Sequence, residues 1–233
     1  SAQMPAVLER MRAAQVGEAL CINVSLESYP ALRALVGAHA QLFATVGVHP
    51  EDREAAEPTV ERLCELAADS KVLGVGETGL DYFYDQSPRP LQRESFRRHL
   101  EACRASGLPV IVHTRDADDD TASMLAEAKS AGPLTGVLHC FTSSQQLADR
   151  AIELGFYISI SGIVTFKAAE ELRAIVDSAA VTRALAPADI VRVNGDLIAI
   201  LTEDSGDDHS EVNEVVDLEG QDTIEEIRRR IAD

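Results

Sequence analysis

Tryptophan is absent from this chain, and aromatic residues make up only 4% of it. The rings are too scattered to suggest a stacking platform, and Tyr82, Phe83 and Tyr84 form the one cluster near a prospective site. Four cysteines (Cys21, Cys64, Cys103, Cys140) occur without CxxC or CxH spacing. That spacing argues against a zinc knuckle or a disulfide framework and points to free thiols in a reducing compartment. No apolar run approaches the roughly 20 residues that cross a bilayer, so no membrane association is expected. Residues 1–10 lack a basic-then-apolar leader pattern, so a cytoplasmic location is expected. Met4 falls inside an amphipathic stretch, the expectation being a trimmed chain or a gene that begins late.

Positive charge is also short. The formal net charge is −18, and nine acids with no Lys or Arg lie between Thr202 and Ile224, so half of the excess sits in that one stretch. Such a balance disfavours loose, non-specific nucleic-acid binding, which needs a basic footprint. It leaves room for an enzyme that grips a few phosphates through metal ions and local arginines.

What is present is alternation. With 45% hydrophobic residues and 233 positions, the chain can bury one large core or two small ones. Short β-branched runs (Ala19–Val24, Phe43–Val48, Val72–Gly76, Pro109–His113, Gly136–Cys140, Tyr157–Ser161) alternate with segments of helical periodicity. The helical segments are Glu27–Ala40, Thr59–Asp69, Leu91–Ser106, Asp119–Ala131, Ser144–Leu154 and Ala168–Val176. Strands alternating with helices predict a parallel sheet with helices outside it. An open doubly wound sheet and a closed (β/α) barrel compete. No GxGxxG or GxxxxGK[ST] follows an early strand, so the nucleotide-binding open sheets lose ground.

The polar residues favour the barrel. His49, Glu77, His113 and His139 each lie at the end of an apolar run. In a barrel those C-terminal ends converge on one rim, where such folds build their sites. Imidazoles with a carboxylate and no thiolate suit Mg²⁺, Mn²⁺ or Zn²⁺, and a two-ion clamp suits an in-line phosphoryl displacement. Taken singly, a histidine after a strand is more often a hydrogen-bonded structural residue, and Glu77 in its Gly-rich turn can be a simple loop charge. Arg115 can hold a phosphate bidentately or form a surface salt bridge. Asp81 can orient a ligand from behind or cap a turn. Thr142, Ser143 and Ser144 sit at a helix start, where capping is the plainer role.

The strings Val46-Gly47-Val48-His49-Pro50, Gly76-Glu77-Thr78-Gly79-Leu80-Asp81-Tyr82, Val112-His113-Thr114-Arg115, His139-Cys140-Phe141-Thr142 and Ser161-Gly162-Ile163-Val164-Thr165-Phe166-Lys167 resemble the TatD family of metal-dependent deoxyribonucleases in order and spacing. The resemblance covers residues 4–176. It implies a (β/α)8 TIM-type barrel, a cytoplasmic location and 3′-5′ trimming of DNA ends, single-stranded or frayed, by a monomer. Two divalent ions are implied for the family, and one or none for this chain. By matched position Glu77 resembles the carboxylate shared by both metals, His113 and His139 the histidines of the second metal, and His49 a residue beside the substrate. Arg115 and Asp81 join His49 as substrate-side candidates. The implied chemistry is attack of metal-activated water on phosphorus.

Two departures stand out. The family's first strand ends in a His-x-His pair for the first metal, and this sequence starts at what resembles the first helix. The family's eighth strand ends in Glu-Thr-Asp-Ser, over whose Asp-Ser the pair Asp204-Ser205 can be laid after an unusually long gap, making Asp204 a candidate metal ligand and catalytic residue. The expected architecture is therefore a barrel body over residues 1–185, lacking its first strand. Residues 186–233 are either a diverged last strand or a small appendage. In the second case a hairpin turns at Asn194-Gly195, a strand runs over Val212–Leu218 and a helix over Thr223–Ile231, with the acidic loop plausible as a solvated segment. Two other functions stay open: an impaired barrel acting as a binding protein, and an amide or ester hydrolase of small molecules.

Overall fold

The computed structural model describes residues 4–13, 16–52, 58–178, 192–193 and 196–201. Asp204, the acidic stretch and the strand and helix expected after it lie outside the described residues. A first helix, α1 (Met4–Ala13), leads into a repeating pattern: β1 (Glu18–Cys21), α2 (Tyr29–Gly37), β2 (Leu42–Val46), α3 (Val60–Ala67), β3 (Val72–Asp81) and α4 (Arg89–Ser106). It continues with β4 (Val110–Arg115), α5 (Asp118–Ser130), β5 (Gly136–Leu138), α6 (Gln145–Glu153) and β6 (Tyr157–Ile158). A 3₁₀ turn over Gly162–Thr165 and α7 (Glu170–Val176) follow. No helix among the described residues is long and apolar enough to cross a membrane.

Local chemistry accounts for the helix ends. The Thr59 hydroxyl accepts from the Arg62 N–H, and the Ser144 hydroxyl from the Leu147 N–H, each satisfying a donor that the first helical turn leaves free. Gly107 takes φ 75° and closes α4.

Each strand from β1 to β6 pairs in parallel with the next one along the chain. At the other edge, β8 (Asp196–Leu201) pairs in parallel with β1, and β7 (Arg192–Val193) pairs antiparallel with β8; the turn expected at Asn194-Gly195 lies outside the described residues.

Side-chain parity shows that the six-strand sheet curls. Leu20 of β1 and Ile22 just beyond it share one cluster with Ile111 of β4 and Val137 of β5, and Phe43 and Leu73 pack against it. Strands two or three places apart touch through these residues only if the sheet bends around them. The alternate positions, Val46, Val75, Val110, Val112 and Leu138, pack outward against Leu63, Phe96, Leu100, Leu125 and Leu147 of the surrounding helices. Each such fully buried side chain contributes about 1.5–3 kcal/mol. The result is a TIM-barrel-like half-barrel with an apolar inner floor.

β3 runs five residues further than the apolar run Val72–Gly76 implies, and the reason is a bulge. Val75 pairs with Val110 but Thr78 with Val112, so β3 carries an extra residue in the segment containing Gly76 and Glu77. Gly76 has φ 142° and a Cβ there would meet the Ile111 carbonyl oxygen at 2.4 Å; Gly79 has φ 143° and a Cβ there would lie 2.0 Å from the His113 carbonyl oxygen. Only glycine combines that backbone with that approach to β4. Gly79→Ala is therefore expected to destabilise the protein by about 3 kcal/mol or more, read as a shift in the chemical denaturation midpoint. Unchanged stability would contradict the close β3–β4 approach.

Candidate metal centre

The parity that sends Ile111 inward also sends His113 and Arg115 inward, and that of Val137 does the same for His139. Gly79 pairs with His113 and Asp81 with Arg115, so Asp81 shares their face. The bulge turns Glu77 into the same space. The apolar floor is thus covered, at the C-terminal ends of the strands, by a layer of titratable groups.

Glu77 is the centre of that layer and is only 6% exposed. One carboxylate oxygen, Oε1, lies 3.0 Å from His139 Nδ1 and 3.5 Å from His113 Nδ1. The other ring nitrogen of His113, Nε2, lies 2.9 Å from Asp81 Oδ2. Asp81 is fixed in turn. Its N–H donates to Gln92 Oε1 at 2.8 Å, its carbonyl accepts from Gln92 Nε2 at 3.0 Å, and its Oδ1 accepts from the Tyr84 N–H at 2.8 Å. The Glu77 N–H donates to the Asn23 carbonyl at 2.8 Å, which ties the bulge to the end of β1.

The His49 ring meets the His113 ring edge-on, with centroids 4.3 Å apart. Ligand atoms of His49, Glu77 and His113 all lie within 4.8 Å of one another, and so do those of Glu51, Asp81 and His113. Of the expected residues, Glu77, His113, His139, His49 and Asp81 come together and Arg115 lies beside them. Asp204 is outside the described residues.

Electrostatics follow the contacts. Burial opposes ionisation of Glu77, yet the hydrogen bonds to His113 and His139 hold its carboxyl far below the usual range. Burial disfavours a charged His113, but Asp81 and Glu77 outweigh it and raise the imidazole to about 9. His139 behaves alike, raised to about 10 against burial by its contacts with Cys140 and Glu77. His49 goes the other way, lowered to about 4 by burial and by the charge on His113. Burial and the neighbouring Asp81 raise Glu51, while Asp81 itself, despite burial, is lowered chiefly by His113.

This donor set fits a divalent cation: already gathered and rich in imidazole and carboxylate. An ion entering it displaces protons from the imidazoles, which are held there by the same carboxylates that would otherwise repel one another.

The sequence profile of the TatD related DNase family matches residues 1–190. This chain belongs to that family. Its relatives include the protein named uncharacterized metal-dependent hydrolase YcfH of Escherichia coli K12, 45% identical over 168 residues, which are 72% of this chain and 62% of YcfH. A protein of Cronobacter turicensis named 3'-5' ssDNA/RNA exonuclease TatD is 33% identical over 172 residues, 73% of this chain and 65% of that protein. The crystal structure of YJJV, a TatD homolog of Escherichia coli K12, superposes with a TM-score of 0.69 at 30% identity, covering 76% of this chain and 68% of YJJV. The chain thus spans less than two thirds of the length of YcfH. The TatD-like, TIM-barrel-like fold expected from the motifs is the fold observed.

Three supporting residues escaped the sequence reading. Glu51 follows His49 by two positions, and its backbone N–H donates to His49 Nδ1 at 3.3 Å; nothing but its place after the strand end marks it. Asn23 braces Gly47 and Ser28 through its side chain. His99 is fully buried on α4, where it reads as an ordinary helical residue.

His99 Nε2 accepts the Val48 N–H at 3.0 Å, so Nδ1 carries the proton and donates to the Ser95 carbonyl at 2.8 Å. This neutral ring fixes the backbone one residue before His49. Burial depresses its pKa from 6.5 to about 4. The unfolded chain binds the extra proton first, so the stability from His99 is complete above pH 6.5 and is lost as pH falls from 6.5 to about 4. The loss amounts to about 3 kcal/mol. Denaturation curves of wild type and His99→Gln should diverge in slope across that window, and parallel curves would refute the neutral ring.

Proposed function

We propose that the Glu77 cluster is the reaction centre of a divalent-metal-dependent phosphodiesterase that trims single-stranded or frayed DNA from its 3′ end. The observation that carries this reading is the convergence of Glu77, His113 and His139 around one carboxylate oxygen, with Arg115 on the same strand face as His113. The relative named as a 3'-5' ssDNA/RNA exonuclease supports it. An ion of the Mg²⁺, Mn²⁺ or Zn²⁺ class, when bound, supplies a Lewis acid for water and for a phosphoryl oxygen.

The remaining roles belong to the chain. Glu77 stays ionised beneath its histidines and would hold the ion through its carboxylate. Asp81 accepts from His113 Nε2 and sets the orientation of that ring. His49, lowered to about 4, is neutral at physiological pH and adds no positive charge to the site. Arg115 provides a planar, two-pronged donor for the non-bridging oxygens of the phosphate. Glu51, whose carboxyl is raised by burial and by Asp81, lies beside His113 and Asp81 at the edge of the cluster.

Mn²⁺-dependent trimming of 5′-labelled single-stranded DNA tests this directly. Glu77→Ala and His113→Ala should each lower kcat/KM by about 100-fold or more, the scale of losing an electrostatic or ligand group at a reaction centre. Equal trimming by wild type and both variants would assign the activity to a contaminant. Hydrolysis of small esters or amides, with DNA untouched, would shift the reading to a carbonyl hydrolase.

A further inference from the structure

The segment after β3 holds three aromatic rings in sequence, and the fold gives them different surroundings. Tyr82 is anchored: its hydroxyl donates to Asp120 Oδ2 at 2.6 Å, and the Arg89 guanidinium lies 4.2 Å from its ring centroid. Phe83 and Tyr84 stand about half out of the surface. They are 54% and 46% exposed, in a protein that sequesters Phe96 and Phe141 almost completely. Their rings meet edge to face with centroids 4.9 Å apart, a rigid pair presenting two differently oriented π surfaces.

Arg115 completes the arrangement. Its guanidinium carbon lies 3.9 Å from the Phe83 centroid and 4.7 Å from that of Tyr84. Among the described residues it makes no ion pair, unlike Arg89 and Arg93 nearby. A cation held by ring faces instead of by a carboxylate keeps its N–H donors available.

The pair is also tied to the Glu77 cluster. The Tyr84 N–H donates to one oxygen of Asp81, whose other oxygen lies 2.9 Å from the ring of His113. Arg115 stands two residues beyond His113 on the same face of β4. Exposed rings, a guanidinium with no ion pair among the described residues, and the Glu77 cluster thus occur in succession. A nucleotide carries the matching groups, a flat base and an anionic phosphodiester.

We propose that Phe83 and Tyr84, backed by Arg115, form a stacking platform for an unpaired nucleobase next to the phosphodiester at the Glu77 cluster; this rests on the phosphodiesterase reading of that cluster. Stacking on a ring needs a base with an open face, so the platform selects single-stranded or frayed ends and tolerates any base. Duplex, whose bases stack on one another, is excluded until its end opens.

The test is fluorescence anisotropy with the full chain in EDTA. It compares a labelled single-stranded oligonucleotide with a strand of equal length whose 3′-terminal units are abasic. Wild type should bind the base-bearing strand roughly 10-fold or more tightly than the abasic strand. Phe83→Ala/Tyr84→Ala should abolish that preference while leaving affinity for the abasic strand unchanged, and Tyr84→Phe should retain it. Equal affinity of wild type for the two strands, binding to neither, or a preference that survives the double substitution overturns the platform. The wild-type comparison decides even where the double variant does not fold. Cleavage in Mn²⁺ is scored separately. A base preference without cleavage supports the platform and overturns the phosphodiesterase reading, whereas cleavage without a base preference does the reverse.

Discussion

A buried carboxylate constrains everything around it. Glu77, 6% exposed, would cost several kcal/mol as an isolated charge, and it is tolerated because two imidazoles face a single oxygen of it. Those imidazoles have to arrive from β4 and β5, and one of them needs Asp81 on its far side. Asp81 lies on β3 itself, four residues after Glu77, so β3 must stay paired with β4 while still turning Glu77 inward. The bulge flanked by Gly76 and Gly79 meets both demands. The Gly-Glu-Thr-Gly-Leu-Asp string is the sequence record of that one requirement.

The curled sheet converts a period of two into chemistry. Inward positions are apolar toward the N-terminal ends of the strands and titratable toward the C-terminal ends. The lower layer fixes strand spacing, and the upper layer inherits that spacing as ligand geometry. Support also comes from outside the sheet: Gln92 and His99, both on α4, hold Asp81 and the residue before His49 respectively. One helix therefore steadies two sides of the centre.

How much of this was legible depends on whether a residue's role is local. Glu77, His113 and His139 could be read because each ends or follows an apolar run, and a polar group in that position is costly without a purpose. The alternation of strand and helix gave the barrel-like class, and helical periodicity placed the starts of α2 to α7 to within a residue or two. Glu51 was not legible: its partner Asp81 lies 30 positions away, and only the fold brings them together. His99 on a helix carries no mark distinguishing it from a surface histidine. The extension of β3 to Asp81 was missed because glycines in a strand read as an ending, while here they let two backbones approach. Tyr82, Phe83 and Tyr84 were read as a cluster but not as a platform, because the cation that organises two of them, Arg115, comes from another strand.

The central claim is that Glu77 and its histidines form a cation site. Anomalous diffraction from crystals of the full chain soaked in Mn²⁺ tests it most directly. The account predicts a peak within bonding distance of a Glu77 oxygen and of at least one nitrogen from His49, His113 or His139. An ordered structure with no ion at Glu77, and the Glu77–His139 contact intact at high Mn²⁺, would contradict it.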